Sequence, residues 1–269
     1  MKRFSLGGVA ILAHLTVPAL AADLPSKPIH KAPPVAAAAN WSGLYIGLNA
    51  GYGWGRDTDP AISFTDPAPG IGFADYFSVG GNRFPNLKPK GFIGGGQVGW
   101  DRQWSSLVAG VVADFQISDI NNSATVLVPL NIPSTETLSQ RLDFLGTVRA
   151  RVGMAFNDWL LYGTGGFAYG HVKNSLNFVA PTVPILVTGS TSETRAGWAA
   201  GVGVNYAVAN WVLGIEYLHY DLGRSSVTAS TVVPALPAST LTATQRVDGD
   251  IVRGTLSYRF NSGPVVGRY

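Results

Sequence analysis

The sequence contains no cysteine, so a disulfide framework and a thiolate metal site are both excluded, and the redox compartment leaves no trace in it. Charge is scarce too. Asp, Glu, Lys and Arg make up 13% of the 269 residues and hydrophobic residues 46%, where a soluble domain usually carries about 25% charge. A surface so poor in charge suits a solvent other than water. Beyond the N-terminal segment no apolar run approaches the roughly twenty residues of a membrane helix. Any membrane span would therefore be a closed β-barrel, the other architecture that satisfies every backbone polar group in lipid. HExxH and a nucleotide-binding glycine loop between strand and helix are also missing.

What is present starts with "MKRFSLGGVAILAHLTVPALAAD". Lys2 and Arg3, an apolar run to Leu20, and Ala19 and Ala21 framing a cut before Ala22 predict a cleaved signal peptide over 1–21. Its removal takes two basic residues, leaving 19 − 2 = 17 basic against 16 acidic, a net charge of +1. Such a balance points to no nucleic-acid partner. Residues 22–40, rich in Pro, Ala and Lys, cannot bury a core and read as a periplasmic tether.

From Trp41 a period of two sets in, the strand signature. It recurs in eight segments: Trp41–Gly55, Gly91–Trp104, Leu107–Ile117, Arg141–Phe156, Trp159–Lys173, Thr194–Val208, Trp211–Asp221 and Val247–Phe260. Ser105-Ser106, Asn157-Asp158 and Ala209-Asn210 separate them at one end. The connections at the other, 56–90, 118–140, 174–193 and 222–246, are long and rich in Pro, Thr, Ser and Gly. An even number of strands with short turns at one end and long loops at the other predicts an all-β fold, an eight-stranded antiparallel up-and-down transmembrane β-barrel over 41–260 with short periplasmic turns and long extracellular loops. Trp41, Trp104, Trp159 and Trp211 fall at the short-turn ends, which predicts a periplasmic aromatic girdle.

Charges sit on one parity. In "RLDFLGTVRARVGMAF" Asp143, Arg149 and Arg151 oppose Phe144, Val148, Val152 and Met154; Asp114, Glu216, Arg253 and Arg259 likewise oppose apolar sets. Arg or Lys facing mid-membrane lipid would cost about 2–4 kcal/mol each. The seven are therefore expected to point inward and form a packed ionic network, since eight strands enclose just enough room for side chains. Periodicity alone is equally compatible with a soluble calycin-type barrel with its apolar face inside. Sparse charge, the tryptophan ring and the alternating loop lengths favour the membrane version.

The same residues carry a resemblance. "AADLPSKP", "WSGLYIGLNAGYGWG", "TVRARVGMAF…WLLYGTGGFAYG", "NWVLGIEYLHYDLG" and "VDGDIVRGTLSYRF" together resemble the alphaproteobacterial porin-like outer-membrane β-barrel family, which includes surface antigens of the 25 and 31 kilodalton types. The resemblance runs from the signal to Phe260. It implies an outer-membrane location, an insertion machinery that reads a terminal aromatic, and haemin binding in some relatives on no assigned residue. "NSGPVVGRY" follows Phe260, so either Tyr269 is that aromatic or the Leu256-Tyr258-Phe260 pattern suffices.

An enzyme is not expected, because the mature chain has three histidines, His30, His171 and His219, and the nearest imitation of a catalytic set is His219 with Asp221. His171 and His219 end upward-running strands, and the sharper reading makes them a rim site for haem or metal; the blander one leaves them at the headgroup boundary. No cofactor or metal is otherwise expected. A filled lumen argues against a general pore, leaving slow leakage of small solutes or ions as the alternative. The reading preferred is a structural and surface-display barrel. Its partners would be outer-membrane lipid and lipopolysaccharide, the insertion machinery, and peptidoglycan near Lys27 and Lys31 of the tether. The uncharged "TASTVVPALPASTLTATQ" would fold over the mouth or against a neighbour.

Overall fold

The computed structural model describes residues 39–56, 60–66, 86–128, 133–180, 185–231 and 239–260. The expected signal peptide, nearly all of the tether with His30, and the extension after Phe260 lie outside them. Nine strands and no helix occur among the described residues: β1 (Gly43–Gly55), β2 (Ala61–Thr65), β3 (Lys90–Trp104), β4 (Leu107–Val128), β5 (Ser134–Phe156), β6 (Trp159–Ala180), β7 (Ile185–Val208), β8 (Trp211–Thr231) and β9 (Thr240–Arg259). Each is antiparallel to its neighbours in the order β1-β3-β4-β5-β6-β7-β8-β9, and β1 pairs with β9 to close a ring of eight. The ninth, β2, was not legible in the sequence. It lies on β9 where β1 leaves off, with Gly55 opposite Gly249 and Ala61 opposite Thr244, so it prolongs β1 along the same neighbour.

Three hairpins close on two residues, and Ser105, Asn157 and Ala209 take left-handed φ values of 56°, 53° and 53°. Positive φ at the first turn position lets a two-residue hairpin follow the twist of its strands. Asn tolerates it, while Ala and Ser do so at a cost of about 1–2 kcal/mol.

At the opposite end the strands run well past the segments legible in the sequence. Residues 118–128, 134–140, 174–180, 185–193, 222–231 and 240–246, expected in loops, are strand. The period of two continues through them with its polarity inverted. On β6 the outward set begins Trp159, Leu161, Phe167, Tyr169 and continues Lys173, Ser175, Asn177; the inward set ends Leu176, Phe178, Ala180. Hydroxyl pairs ladder this outer surface: Thr125–Thr137 at 2.9 Å, Ser123–Ser139 at 2.8 Å, Ser226–Thr244 at 2.8 Å and Thr228–Thr242 at 2.9 Å. Such cross-strand pairs stabilise a sheet that faces water.

Two strands also switch parity. The β5–β6 register shifts between Leu142 and Phe144, and the β8–β9 register between Asp221 and Arg224, where Gly223 has φ 78°. A bulge of this kind turns every later side chain to the other face.

Inside, the ring is filled in layers. Nearest the short turns Trp41 packs with Val108, Leu160, Tyr162 and Val212. Above lie the charged side chains, then an apolar layer containing Ile93, Ile120, Leu145, Leu218 and Ile251. Buried Gln140, Asn174 and Gln245 follow. The outermost layer is again apolar, with Leu138, Leu176, Phe178, Val187, Val227 and Leu241.

Candidate functional site

The lumen's charges form two groups rather than one network. In the first, Arg149 of β5 reaches Asp114 of β4 at 2.7 Å and Glu216 of β8 at 2.9 Å, and Arg253 of β9 reaches the same two carboxylates at 2.9 and 2.7 Å. Register sets this up, because Glu216 is directly opposite Arg253 and Asp114 opposite Thr147, whose hydroxyl accepts from Arg149 Nε at 2.9 Å. None of the four side chains is more than 4% exposed. Two cations and two anions cancel, and most of the forks are matched by carboxylates, as buried charge requires. Tyr162 adds a bond to Glu216 at 3.3 Å.

The second group is Arg151 with Asp101 of β3. The Arg151 guanidinium lies between two rings, 5.0 Å from the Tyr45 centroid and 4.9 Å from that of Tyr162. Both rings lie across glycines: a Cβ on Gly99 would come within 2.2 Å of Tyr45, and one on Gly203 within 2.5 Å of Tyr162. Asp101 was missed by sequence reasoning. Its signal was available, since it shares parity with Gln97 and Gly99, whereas its neighbour Arg102 points outward to Trp104.

Two expected members of the network lie elsewhere, and one of the expected girdle does too. Asp143 is not in the lumen: it sits on the β5 bulge, where its carboxylate takes Lys173 at 2.7 Å and Arg141 at 2.9 Å on the outer surface. Arg259 is inward but joins neither ion-paired group. It bonds the Asn40 carbonyl and stacks 4.3 Å from the Trp41 ring. Trp41 is no girdle residue, since it is fully buried; its amide donates to Gln103 Oε1 at 2.7 Å, so the chain enters β1 through the short-turn mouth of the ring. Trp104, Trp159 and Trp211 are half exposed on the outside, where Trp159 packs on Tyr206 and Trp211 on Tyr258.

The two histidines are not brought together. On β7, His171 is opposite Thr194 and His219 opposite Ala200, six positions along the strand, or about 20 Å at ~3.3 Å per residue. His171 bonds Ser192 and Thr194 and stacks on Phe144; His219 bonds Asp250 at 2.8 Å, not Asp221. Among the described residues no cluster of three or more His, Cys, Asp or Glu could hold a metal.

Around this filled interior runs an outer face of half-exposed apolar side chains, among them Leu48, Phe92, Val111, Val148, Val152, Leu161, Val202 and Ile215. The family described as "Outer membrane protein beta-barrel domain" matches residues 9–260. The chain belongs to it. It is 37% identical over 234 residues to the 31 kDa outer-membrane immunogenic protein of Brucella melitensis, covering 84% of this chain and 90% of that one. To the 25 kDa outer-membrane immunogenic protein of Brucella abortus it is 25% identical over 265 residues, 95% of this chain and 99% of that one. Among solved structures the outer membrane protein OprG of Pseudomonas aeruginosa aligns with a TM-score of 0.40 and 15% identity, over 83% of this chain and 98% of that one.

The barrel therefore sits in the outer membrane, its exposed apolar band meets lipid, and the strand extensions form arms with a polar outer surface on the side away from the short turns. On β6 the outward set changes from apolar to polar between Tyr169 and Lys173.

Proposed function

We propose that the protein is a closed structural and surface-display barrel, neither a general pore nor an enzyme. The supporting observation is occlusion in series. The salt-bridged layer of Asp114, Arg149, Glu216 and Arg253 and the apolar layer above it fill the ring of eight strands, which has room for little besides its own side chains, and the outermost cluster packs beyond the ends of β1 and β3, among β2 and β4 to β9. Below them the Trp41–Arg259 stack narrows the periplasmic mouth. Relatives named as outer-membrane immunogenic proteins accord with a display role for the arms.

In this reading Trp104, Trp159 and Trp211 anchor the barrel at the periplasmic interface, lipid and lipopolysaccharide surround it, and Lys27 and Lys31 bring the tether to peptidoglycan. The insertion machinery reads the aromatic end of β9. Conductance across a planar bilayer by the refolded mature protein tests the proposal. Absence of channel events supports the closed barrel; steady, sizeable currents would overturn it and make passage of small solutes the function.

A further inference from the structure

We propose that the outer chamber, the part of the barrel above the lipid, is a pH-sensitive closure whose packing depends on Glu136 remaining a neutral carboxylic acid. Glu136 lies on the inward face of β5, between Ser134 and Leu138 and opposite Phe178 of β6. It is completely buried, and neither carboxyl oxygen has a hydrogen-bond partner. Its surroundings are those of the outermost apolar cluster, in which Leu138, Leu176, Val187, Val227 and Leu241 are all fully buried. A carboxylate taken out of water with no partner costs so much that the group neutralises instead.

Among the described residues no compensating charge faces it. Among described inward residues at this level β4 supplies Ala124 and Val126, β6 Leu176, Phe178 and Ala180, β7 Val187, β8 Val227 and Ala229, β9 Leu241 and Ala243, and β2 Ile62 and Phe64. The charged residues of the β2 side are Asp66 at its end and Lys88, exposed beside Leu87. The next inward charges are Glu193 and Arg195 of β7, one layer down; the former accepts from Ser225 at 2.6 Å and lies 3.6 Å from the latter. Glu193 is opposite Val172, which is opposite Leu142, six positions below Glu136.

Burial pushes the carboxyl of Glu136 from its ordinary 4.5 up to about 7. A raised folded-state value means that the closed chamber is fully favoured below about pH 4.5, loses stability as pH rises through 4.5 to 7, and loses no more above that. The opening constant scales as (1 + 10^(pH − 4.5))/(1 + 10^(pH − 7)), which is about 4 at pH 5 and about 290 at pH 8, a rise of roughly 70-fold. Opening would part the β4–β5 and β5–β6 pairs above the lipid while the membrane portion stays closed.

Hydrogen exchange of the full-length barrel in lipid vesicles, corrected for the pH dependence of intrinsic exchange, reads this directly. In wild type, amides of residues 134–140 and 174–180 are expected to open roughly 70-fold more readily at pH 8 than at pH 5, while those of 147–154 do not change. Glu136→Gln is expected to remove the pH dependence. A pH-independent wild type, or an unchanged pH dependence in Glu136→Gln, overturns the proposal. Should that variant fold poorly, Glu136→Leu keeps the chamber apolar and serves an infrared comparison. The protonated-carboxyl stretch present in wild type and absent from Glu136→Leu is expected to vanish with a midpoint near 7; a midpoint near 4.5 refutes the buried neutral acid.

Discussion

Replacing Arg253 by alanine tests the ionic layer most directly. The wild-type guanidinium meets Glu216 at 2.7 Å and Asp114 at 2.9 Å with 1% of its side chain exposed. Its loss leaves Arg149 with two carboxylates, a net charge of −1 sealed between apolar layers. Removing one member of a buried pair in this way typically costs about 3–5 kcal/mol, because the uncompensated charge stays out of water. Equilibrium urea unfolding in lipid vesicles, followed by tryptophan fluorescence, is expected to show a loss of that size. The double variant Arg253→Met with Glu216→Leu removes one charge of each sign and leaves Arg149 with Asp114. It is expected to come within about 1 kcal/mol of wild type or to exceed it, as neutral apolar replacements of buried pairs often do. A single-variant cost below about 1 kcal/mol would refute the reasoning, since only a hydrated layer behaves like a surface ion pair. Conductance is expected to remain absent in Arg253→Ala, because the apolar layers above it still close the lumen.

Val148→Arg, on the lipid face, is expected to cost about 2–4 kcal/mol in the same unfolding assay, whereas Asn177→Arg, outward on the β6 arm, should change stability by less than about 0.5 kcal/mol. Asp143→Asn should cost less than about 1 kcal/mol despite its two short ion pairs, since both cationic partners are more than half exposed. Ala209→Gly is expected to stabilise the barrel by about 1 kcal/mol by relieving the left-handed φ of 53° in the β7–β8 turn.

The membrane portion was legible in the sequence because lipid imposes a one-sided rule: outward Val148, Val152 and Met154 must be apolar, so inward Arg149 and Arg151 stand out against them. The arms obey the opposite rule. Once the outside is water, Ser175 and Asn177 face out and Leu176 and Phe178 face in, and with Pro and Thr at the tips the stretch has a loop's composition while keeping a strand's period. Parity misled once, where the backbone left its register. Asp143 shares the odd numbering of Arg149 and Arg151, yet the bulge beside it turns it outward. Trp41 was expected in the girdle from its place at the short-turn end alone, whereas it has the odd parity of buried Tyr45 and Asn49 in β1 and lies inside with them. Pairing partners were not readable from one strand at a time: that Arg151 would meet Asp101 rather than Asp114 depends on side chains from β3 and β5 meeting across the lumen.

The alternating arms also bear on how an immune system would meet this molecule. If the arms are displayed as proposed, an antibody reaches Lys173, Ser175 and Asn177 of β6 but not the inward Asn174, Leu176 and Phe178, while the neighbouring rungs of β7 present Ser192, Ser190 and Thr188 beside them. An epitope on the folded arm is thus a patch of every second residue from adjoining strands, spaced by about 4.8 Å between chains. A synthetic peptide copied from either strand carries that half-set diluted with residues no antibody to the native surface has met, so serum raised against intact barrel and serum raised against the peptide recognise different objects.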